Sequence, residues 1–256
     1  MIPQYLARIG VQPPVPVHLP GLTRLMQKHQ QHIHFENLDI LSGRSIQLDP
    51  ISLFQKIIIN HRGGVCFELN GLFHLLLNEL GFDVQMVAGT VYEPSSGDWG
   101  LEGTHLANLV YLNDEKYLVD VGFGGNAPRR PVPLSGEVVQ DIAGQYRIRS
   151  NPDRYVLEKK EPGAESWQVL YRFTGEAKTF QDFHEACRLI ETSPRSPFNR
   201  SIYISKMTPD GRVSLIGRKL VQVTPSGKEK REVSENELPA LIREIFQIRW
   251  ESPEAQ

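Results

Sequence analysis

The spacing of apolar residues changes near residue 83, and this change limits the folds that the chain can adopt. Between Cys66 and Phe82 (CFELNGLFHLLLNELGF), leucine and phenylalanine recur at helical intervals, and Gly81 is a typical helix terminator. From Val84 onwards, short runs rich in valine, tyrosine and leucine alternate with turn residues, as in antiparallel strands. A chain that is helical first and β-rich afterwards is predicted to be an α+β protein with an antiparallel sheet or small barrel.

The remaining segments follow the same two patterns. Apolar periodicity predicts helices over residues 22–35, 48–59 and 180–191, and two late strands over 211–217 and 219–225. No internal repeat or low-complexity tract interrupts them. The chain is therefore predicted to start as a helical bundle and to continue as a sheet, a helical connection and a smaller β segment.

The end of the chain predicts a solvated segment followed by a closing helix. Residues 227–237 (GKEKREVSENE) mix both charge signs, as a solvated surface does. Ser234 and Glu237 have the spacing of a capping box. Because proline suits only the first turn of a helix, Pro239 favours a helix start about one turn after Ser234.

Composition excludes several classes of protein. The 256 residues carry 28 Lys and Arg against 30 Asp and Glu, so the net charge is −2 and no basic stripe indicates a nucleic-acid partner. The N-terminus lacks the pattern of a signal peptide, and the apolar runs are too short to span a membrane. Two cysteines do not form a disulfide framework in a chain of this length. We expect a cytoplasmic protein with reduced thiols.

Cys66 is the first candidate for chemistry. It follows Gly63 and Gly64 and opens the predicted helix, where unpaired N–H groups and the helix dipole favour a thiolate. The two glycines are predicted to let a substrate approach the backbone closely. The alternative is a small buried hydrophobic residue at a helix start. The other cysteine, Cys187, lies inside a predicted helix and is interpreted as structural.

A catalytic thiol needs a base and an acceptor that orients the base, and His105 and Asp120 are the candidates. Both flank a tight turn. If Asp114–Glu115 is the turn centre, His105 lies opposite Gly124 and Asp120 lies opposite Leu109. The two side chains then share one face of the hairpin, but an offset of four residues separates them by roughly 13 Å.

Each of these two residues also has an ordinary explanation. A histidine in a strand is usually packed or solvent-exposed. An aspartate inside the apolar run YLVDVGF (117–123) is less ordinary, because a core-facing carboxylate is costly without a partner. The pattern places His105 and Asp120 on one side without establishing their contact.

A glycine-rich loop, VGFGGNAPRRPVP (121–133), follows the Asp120 strand directly. Consecutive backbone N–H groups can bind phosphate oxygens, although the spacing matches neither a dinucleotide fingerprint nor a P-loop. A plain turn is the alternative. Arg129 and Arg130 either add affinity for an anion or are simply exposed.

The histidines of HQQHIHF (29–35) do not support a metal site. His29, His32 and His34 lie close together in sequence, but no cysteine is near and the spacing fits no zinc pattern. We therefore predict no metal.

Five blocks together resemble the arylamine N-acetyltransferases, and the likeness covers almost the whole chain. The blocks are FENLDI (35–40), RGGVCFELN (62–70), THLANLV (104–110), LVDVGFGG (118–125) and TSPRSPF (192–198). The cysteine block is the most specific.

The resemblance implies an architecture. It predicts an N-terminal helical bundle over 1–83, a central antiparallel β-barrel over 84–178, a helical interdomain segment over 179–198 and a C-terminal α/β lid over 199–256. The Cys–His–Asp core of such proteins is shared with cysteine proteases and transglutaminases.

The resemblance also implies roles for single residues. Cys66 would be the acetylated nucleophile, His105 the base and Asp120 the orienting residue. The Phe67 backbone N–H follows the nucleophile at a helix start and is a candidate oxyanion donor. The expected contacts of the coenzyme A phosphates and of the coenzyme are Gly122, Phe123, Gly124, Gly125, Asn126, Ala127, Thr192 and Ser193. The expected aromatic walls of the acceptor pocket are Phe35 and Phe123.

The implied activity is acetyl transfer from acetyl-CoA by double displacement through an acetyl-cysteine. The acceptors would be small aromatic amines or hydrazines, and the resemblance extends to O-acetylation of N-hydroxyarylamines. Two alternatives remain open at this point. The same triad could serve a transglutaminase-like cysteine hydrolase or peptidase, or the scaffold could be a non-catalytic binding module.

Overall fold

The computed structural model describes residues 1–250 of the chain. The α-helices within them are α1 (Ile2–Arg8), α2 (Leu19–His32), α3 (Leu38–Leu41), α4 (Pro50–Phe54), α5 (Cys66–Glu79), α6 (His184–Thr192) and α7 (Leu238–Phe246). A π-helical turn over Gln55–Ile59 continues α4. Short 3-10 turns occupy Gly124–Asn126, Phe180–Phe183 and Glu235–Glu237.

The strands form two antiparallel sheets. The strands are β1 (Phe35–Glu36), β2 (Asp83–Glu93), β3 (Asp98–Trp99), β4 (His105–Leu112), β5 (Glu115–Val119), β6 (Val132–Pro133), β7 (Val139–Asp141), β8 (Gly144–Ser150), β9 (Tyr155–Lys160), β10 (Gln168–Phe173), β11 (Tyr203–Met207), β12 (Arg212–Ile216), β13 (Lys219–Thr224) and β14 (Gly227–Glu232).

The larger sheet is a nearly closed barrel. Its order is β6-β5-β4-β2-β10-β9-β8-β7, with β3 paired to β2. The end strand β6 lies beside β8, so the sheet curls back on itself. Tyr146, Leu157 and Tyr171 are among the buried side chains that fill its interior. The predicted α+β class with an antiparallel barrel is confirmed.

The smaller sheet has the order β1-β11-β12-β13-β14 and packs on α7. Its first strand comes from the N-terminal part of the chain, since Phe35 pairs with Ser205. One sheet thus joins the predicted bundle to the predicted lid. The four domain boundaries stay a prediction, and residues 251–256 of the predicted lid lie outside the described part.

The charged run near the C-terminus is solvated, as predicted, and it is also a strand. All residues of β14 are exposed, and the strand pairs with β13 at the edge of the smaller sheet. Alternating charges suit such an edge because they oppose pairing with other chains. The closing helix follows the predicted capping box. The Glu237 carboxylate accepts from the Ser234 backbone N–H at 2.9 Å, and α7 begins at Leu238.

Helix α5 lies at the centre of the largest hydrophobic core. Leu69, Leu72, Phe73 and Leu76 are buried, in agreement with the predicted apolar face. The same core contains Cys66, which opens the helix. The thiol therefore lies at the start of a helix that is buried in this core.

Candidate active site

Cys66 lies at the N-terminus of α5 and is buried, with 4% of its surface exposed. Its Sγ lies 3.8 Å from the Thr104 carbonyl oxygen. The Glu68 carboxylate accepts from the Val65 backbone N–H at 3.0 Å and so caps the helix. The first-turn amide of Phe67 follows the thiol, as expected, at a helix position that has no intrahelical acceptor.

The two glycines before Cys66 are required by packing. A Cβ atom on Gly63 would lie 2.0 Å from the His34 carbonyl oxygen, and one on Gly64 would lie 2.6 Å from the Glu68 carboxylate. The space beside the two glycines, where a substrate was predicted to approach, is therefore filled by His34 and Glu68. The prediction that these glycines open the backbone to a substrate was wrong.

The hairpin that carries His105 and Asp120 has a different register from the predicted one. Strands β4 and β5 pair Leu112 with Glu115, so the turn is formed by Asn113 and Asp114. Asn113 has a positive φ of 51°. The predicted turn centre was one residue too late, and pairing therefore shifted by two residues.

The observed register brings His105 and Asp120 closer together than the predicted one. Asn108 pairs with Val119, and one further step places Asp120 opposite Ala107, not opposite Leu109. His105 is then only two residues away on the same face, roughly 7 Å along a strand. The predicted pairing of His105 with Gly124 was likewise wrong. His105 Nε2 lies 2.7 Å from Asp120 Oδ2.

The Asp120 carboxylate is fully buried and accepts four hydrogen bonds. Oδ2 accepts from His105 and from the Tyr171 hydroxyl at 2.9 Å, while Oδ1 accepts from Asn70 Nδ2 at 2.9 Å and from the Gly122 N–H at 2.8 Å. Burial opposes the charge and raises the pKa of Asp120, but the His105 charge and these hydrogen bonds lower it overall. The carboxylate is ionised at neutral pH.

The pKa of His105 is shifted in the opposite direction. Burial lowers its pKa, but the Asp120 charge and hydrogen bond, together with the Cys66 side chain, raise the pKa of His105 to about 10. Since Nε2 faces Asp120, Nδ1 is left for Cys66. The arrangement stabilises an imidazolium between a carboxylate and a sulfur atom. The structure thus brings the three predicted residues together.

Sequence reasoning missed the polar side chains that surround the triad. Asn70 donates to Asp120 and to the Leu106 carbonyl oxygen at 2.7 Å, and its Oδ1 accepts from the Val121 N–H at 2.8 Å. It lies one turn after Cys66, at a spacing that could have placed it on the same helix face. Tyr171 comes from β10, and only the barrel brings it to Asp120.

The loop after Asp120 lies against the triad. A Cβ atom on Gly122 would be 2.8 Å from the Cys66 Cα, so only glycine fits there. The Phe123 ring meets the His105 ring edge-on, with centroids 5.0 Å apart. Several loop amides already donate to protein acceptors: those of Gly122, Asn126 and Ala127.

An aromatic cluster lies next to this loop. The Phe35 ring centroid is 5.6 Å from that of Phe198 and 5.3 Å from that of Tyr203. A Cβ atom on Gly124 would lie 3.2 Å from the Tyr203 ring and 3.6 Å from Phe35. Phe35, one of the two predicted walls, is thus beside the loop, whereas Phe198 and Tyr203 were not among the predicted residues.

The other predicted coenzyme contacts lie at the end of α6. The Thr192 hydroxyl donates to the Arg188 carbonyl oxygen at 2.8 Å, and the Ser193 hydroxyl accepts from the Arg195 N–H at 3.2 Å. Arg129 is buried, and its guanidinium binds backbone carbonyl oxygens of the β11–β12 turn, including that of Thr208 at 2.7 Å. Arg130 is exposed.

The three clustered histidines have separate environments. His29 Nδ1 lies 2.7 Å from the Tyr5 hydroxyl, His34 Nε2 lies 2.9 Å from the Phe246 carbonyl oxygen, and His32 Nδ1 lies 2.8 Å from the Lys28 carbonyl oxygen. Among the described residues, no group of three or more His, Cys, Asp or Glu side chains is arranged to hold a metal ion.

Cys187 belongs to the buried core, where burial raises the pKa of its thiol. A buried thiol of this kind packs as a small apolar residue. Within residues 1–250, no helix is both long and apolar enough to cross a membrane.

Comparison with known proteins agrees with this geometry. Residues 18–255 match a family model described as N-acetyltransferase. The arylamine N-acetyltransferase of Escherichia coli K12 is 37% identical over 208 residues, which cover 81% of this chain and 73% of that protein. The enzyme of Mycolicibacterium smegmatis is also 37% identical, over 84% of this chain and 80% of its own.

Solved structures show the same fold. The arylamine N-acetyltransferase of Salmonella typhimurium superposes with a TM-score of 0.91 at 30% identity, covering 99% of this chain and 93% of its own. That of Bacillus cereus gives 0.90 at 33% identity, covering 97% and 98%. The B. cereus enzyme has a Cys-His-Glu catalytic triad. In this chain the carboxylate beside His105 belongs to an aspartate.

The fold and the cysteine-centred site are those of an acyltransferase. The chain belongs to the arylamine N-acetyltransferase family.

Proposed function

We propose that the protein transfers the acetyl group of acetyl-CoA to aromatic amines and hydrazines through an acetyl-Cys66 intermediate. The contact of 2.7 Å between His105 and Asp120, with Cys66 on the other side of the imidazole, carries this proposal. A thiol suits the reaction because exchange of one thioester for another is nearly balanced in free energy. The acetyl-cysteine then remains a reactive donor.

In the first half-reaction, the Cys66 thiolate attacks the thioester carbonyl carbon of acetyl-CoA. The raised pKa of His105 favours a thiolate–imidazolium pair that exists before the substrate arrives. When the tetrahedral adduct collapses, the carbon–sulfur bond to coenzyme A breaks and the imidazolium proton passes to the departing sulfur. The Phe67 N–H stabilises the oxyanion.

In the second half-reaction, the amine nitrogen attacks the carbonyl carbon of acetyl-Cys66. His105 is now neutral and accepts a proton from that nitrogen as the adduct collapses. The bond to Cys66 breaks, and the thiolate re-forms beside the imidazolium. Asp120 keeps the ring orientation and the imidazolium charge through both steps.

The surroundings of the triad support a proposal for how the two substrates bind. The glycine-rich loop from Gly122 to Ala127 takes the coenzyme A phosphates, and Thr192 and Ser193 contact the coenzyme further out. Phe35 and Phe123 are the aromatic walls of the acceptor pocket. Aromatic amines and hydrazines are weak bases and enter such a pocket neutral. Alkylamines are protonated at pH 7 and lose hydration on entry.

The relatives support the same acceptor class. The S. typhimurium relative, 34% identical over 81% of this chain, is an arylamine N-acetyltransferase and N-hydroxyarylamine O-acetyltransferase. We extend both reactions to this protein. An N-hydroxyl oxygen beside an aromatic ring would take the place of the amine nitrogen at acetyl-Cys66.

The decisive experiment is mass spectrometry of the protein after brief mixing with acetyl-CoA in the absence of amine. We expect a gain of one acetyl group on Cys66, and its loss when an aniline or arylhydrazine is added. Cys66→Ser is the control and should show no adduct. If active enzyme shows no adduct at short times, double displacement is wrong.

The same experiment separates the two alternatives. A hydrolase would release acetate at an equal rate with and without amine. A binding module would leave Cys66 unacetylated, and the thiol would react with iodoacetamide at pH 6 no faster than a free cysteine does.

A further inference from the structure

A buried lysine lies inside the barrel, behind the glycine-rich loop. The side chain of Lys159, on β9, is only 1% exposed. Its Nζ donates to Asn126 Oδ1 at 3.3 Å and lies 5.9 Å from the centre of the Tyr146 ring. A buried ammonium is costly unless it is paired, so its retention needs a reason.

Among the described residues, one carboxylate lies within ion-pair distance of this ammonium. The closest, Glu161, is 3.7 Å away, and its side chain is 44% exposed to water, which screens the interaction. Asp141 acts from further away, and the Arg212 charge opposes the ammonium. Burial and Arg212 lower the pKa of Lys159 to about 8 in spite of Glu161 and Asp141. In the described part of the chain, the half-exposed Glu161 is thus the only ion-pair partner of the Lys159 ammonium.

The loop lies directly against Lys159, Tyr146 and Arg212. The Asn126 carbonyl oxygen accepts from the Tyr146 hydroxyl at 3.1 Å. Gly125 lies against Arg212, because a Cβ atom there would be 3.2 Å from the Arg212 Nε. The other end of the loop is fixed on the triad through Phe123 and His105. The loop thus spans the space between the reacting groups and the buried ammonium of Lys159.

We propose that Lys159 is a positioning residue for the acyl donor: it fixes the loop at Asn126 and adds buried positive charge behind the loop amides, which favours the phosphates of acetyl-CoA. This inference rests on the proposed function. A packed apolar residue would occupy the barrel interior at lower cost in the free protein. A bound polyanion offsets that cost, because charges attract strongly where water is excluded.

The test is the dissociation constant of acetyl-CoA, measured by calorimetry in a Cys66→Ser background that prevents thioester exchange. We expect Lys159→Met to raise this constant about tenfold, as for the loss of one charge-assisted contact. Lys160→Met is the matched control, since it removes the same charge from the next residue, which faces the other side of β9. It should change the constant less than twofold.

A donor without phosphates separates an effect on the donor from an effect on the triad. Acetylation of Cys66 by p-nitrophenyl acetate, with Cys66 intact, should proceed at the same rate with Lys159 or with methionine. An equal loss with both donors would show that Lys159 acts on the triad or the fold, and would overturn the inference. A dissociation constant within twofold of the control would overturn it as well.

The pH dependence gives an independent readout. The charge on Lys159 is present below pH 8 and is lost above it, whereas the phosphates are already ionised at pH 7. With a tenfold coupling, the dissociation constant should rise about fivefold between pH 7 and pH 9 with Lys159, and stay flat in Lys159→Met. A flat profile with Lys159 present would contradict the inference.

Two further measurements keep the test decisive. If Lys159→Met does not fold, Asn126→Ala removes the loop contact alone and should raise the constant, while the pH profile of the Lys159 protein still applies. If the wild-type protein forms no acetyl-Cys66, the proposed function fails. If the adduct forms but the affinity is independent of Lys159, only this inference fails.

Discussion

Asp120→Asn tests whether the carboxylate maintains the imidazolium. In the wild-type protein the pKa of His105 is about 10, although burial alone lowers it. Without the Asp120 charge and hydrogen bond, only the Cys66 side chain still opposes burial, and we expect the pKa of His105 to fall below 7. A fall of about 3 pH units corresponds to about 4 kcal/mol of lost stabilisation of the charged ring. At neutral pH the ring becomes neutral and the thiol retains its proton.

The assay is alkylation of Cys66 by iodoacetamide at pH 6, followed by mass spectrometry of the Cys66 peptide. An ordinary thiol is only about 0.3% ionised at this pH. A thiolate paired with an imidazolium is less nucleophilic than a free one. The two alkylation rates therefore differ by less than the two ionised fractions do. We expect the variant to react about 100-fold more slowly than the wild type.

The matched control is Asp141→Asn, which removes another buried carboxylate, 1% exposed, that does not contact the triad. Its alkylation rate should equal that of the wild type. Circular dichroism and thermal melts establish that both variants are folded. The reasoning is refuted if folded Asp120→Asn is alkylated at pH 6 within threefold of the wild-type rate.

Three further predictions follow from the packing around the site. Gly122→Ala places a methyl group 2.8 Å from the Cys66 Cα and should lower kcat/KM at least 100-fold, as steady-state kinetics will show; near-normal activity would contradict the close approach. Tyr171→Phe removes one of four donors to Asp120 and should lower kcat about tenfold with an unchanged KM for the amine; a change in KM alone would argue against a role through Asp120. Burial first, and then the Lys206 charge, lower the pKa of His34 to about 3, whereas an unfolded chain has about 6.5, so this group destabilises the fold as pH falls below 6.5, by about 2 kcal/mol at pH 5. Urea denaturation at pH 7 and pH 5 should show this loss, and His34→Gln should reduce it; equal losses in both proteins would exclude His34 as the cause.

The sequence alone determined the features that depend on near neighbours. The helix that Cys66 opens was predictable because its apolar side chains recur at the helical period over residues 66–80. The strands of the barrel and the capping box at Ser234 were also predictable, because both depend on residues that are close in sequence. The prediction also placed His105 and Asp120 on one face, and this held because a two-residue turn keeps the same face when it moves by one residue.

The tertiary structure decided the features that depend on distant partners. The hairpin register was missed because a one-residue error in the turn centre moves every pair by two residues. Tyr171 and Lys159 carry no local signal, since only closure of the barrel brings them to Asp120 and Asn126. The chain encodes helices and strands through neighbouring residues. A buried carboxylate, an imidazolium and an enclosed ammonium are stable only where packing excludes water and supplies their partners.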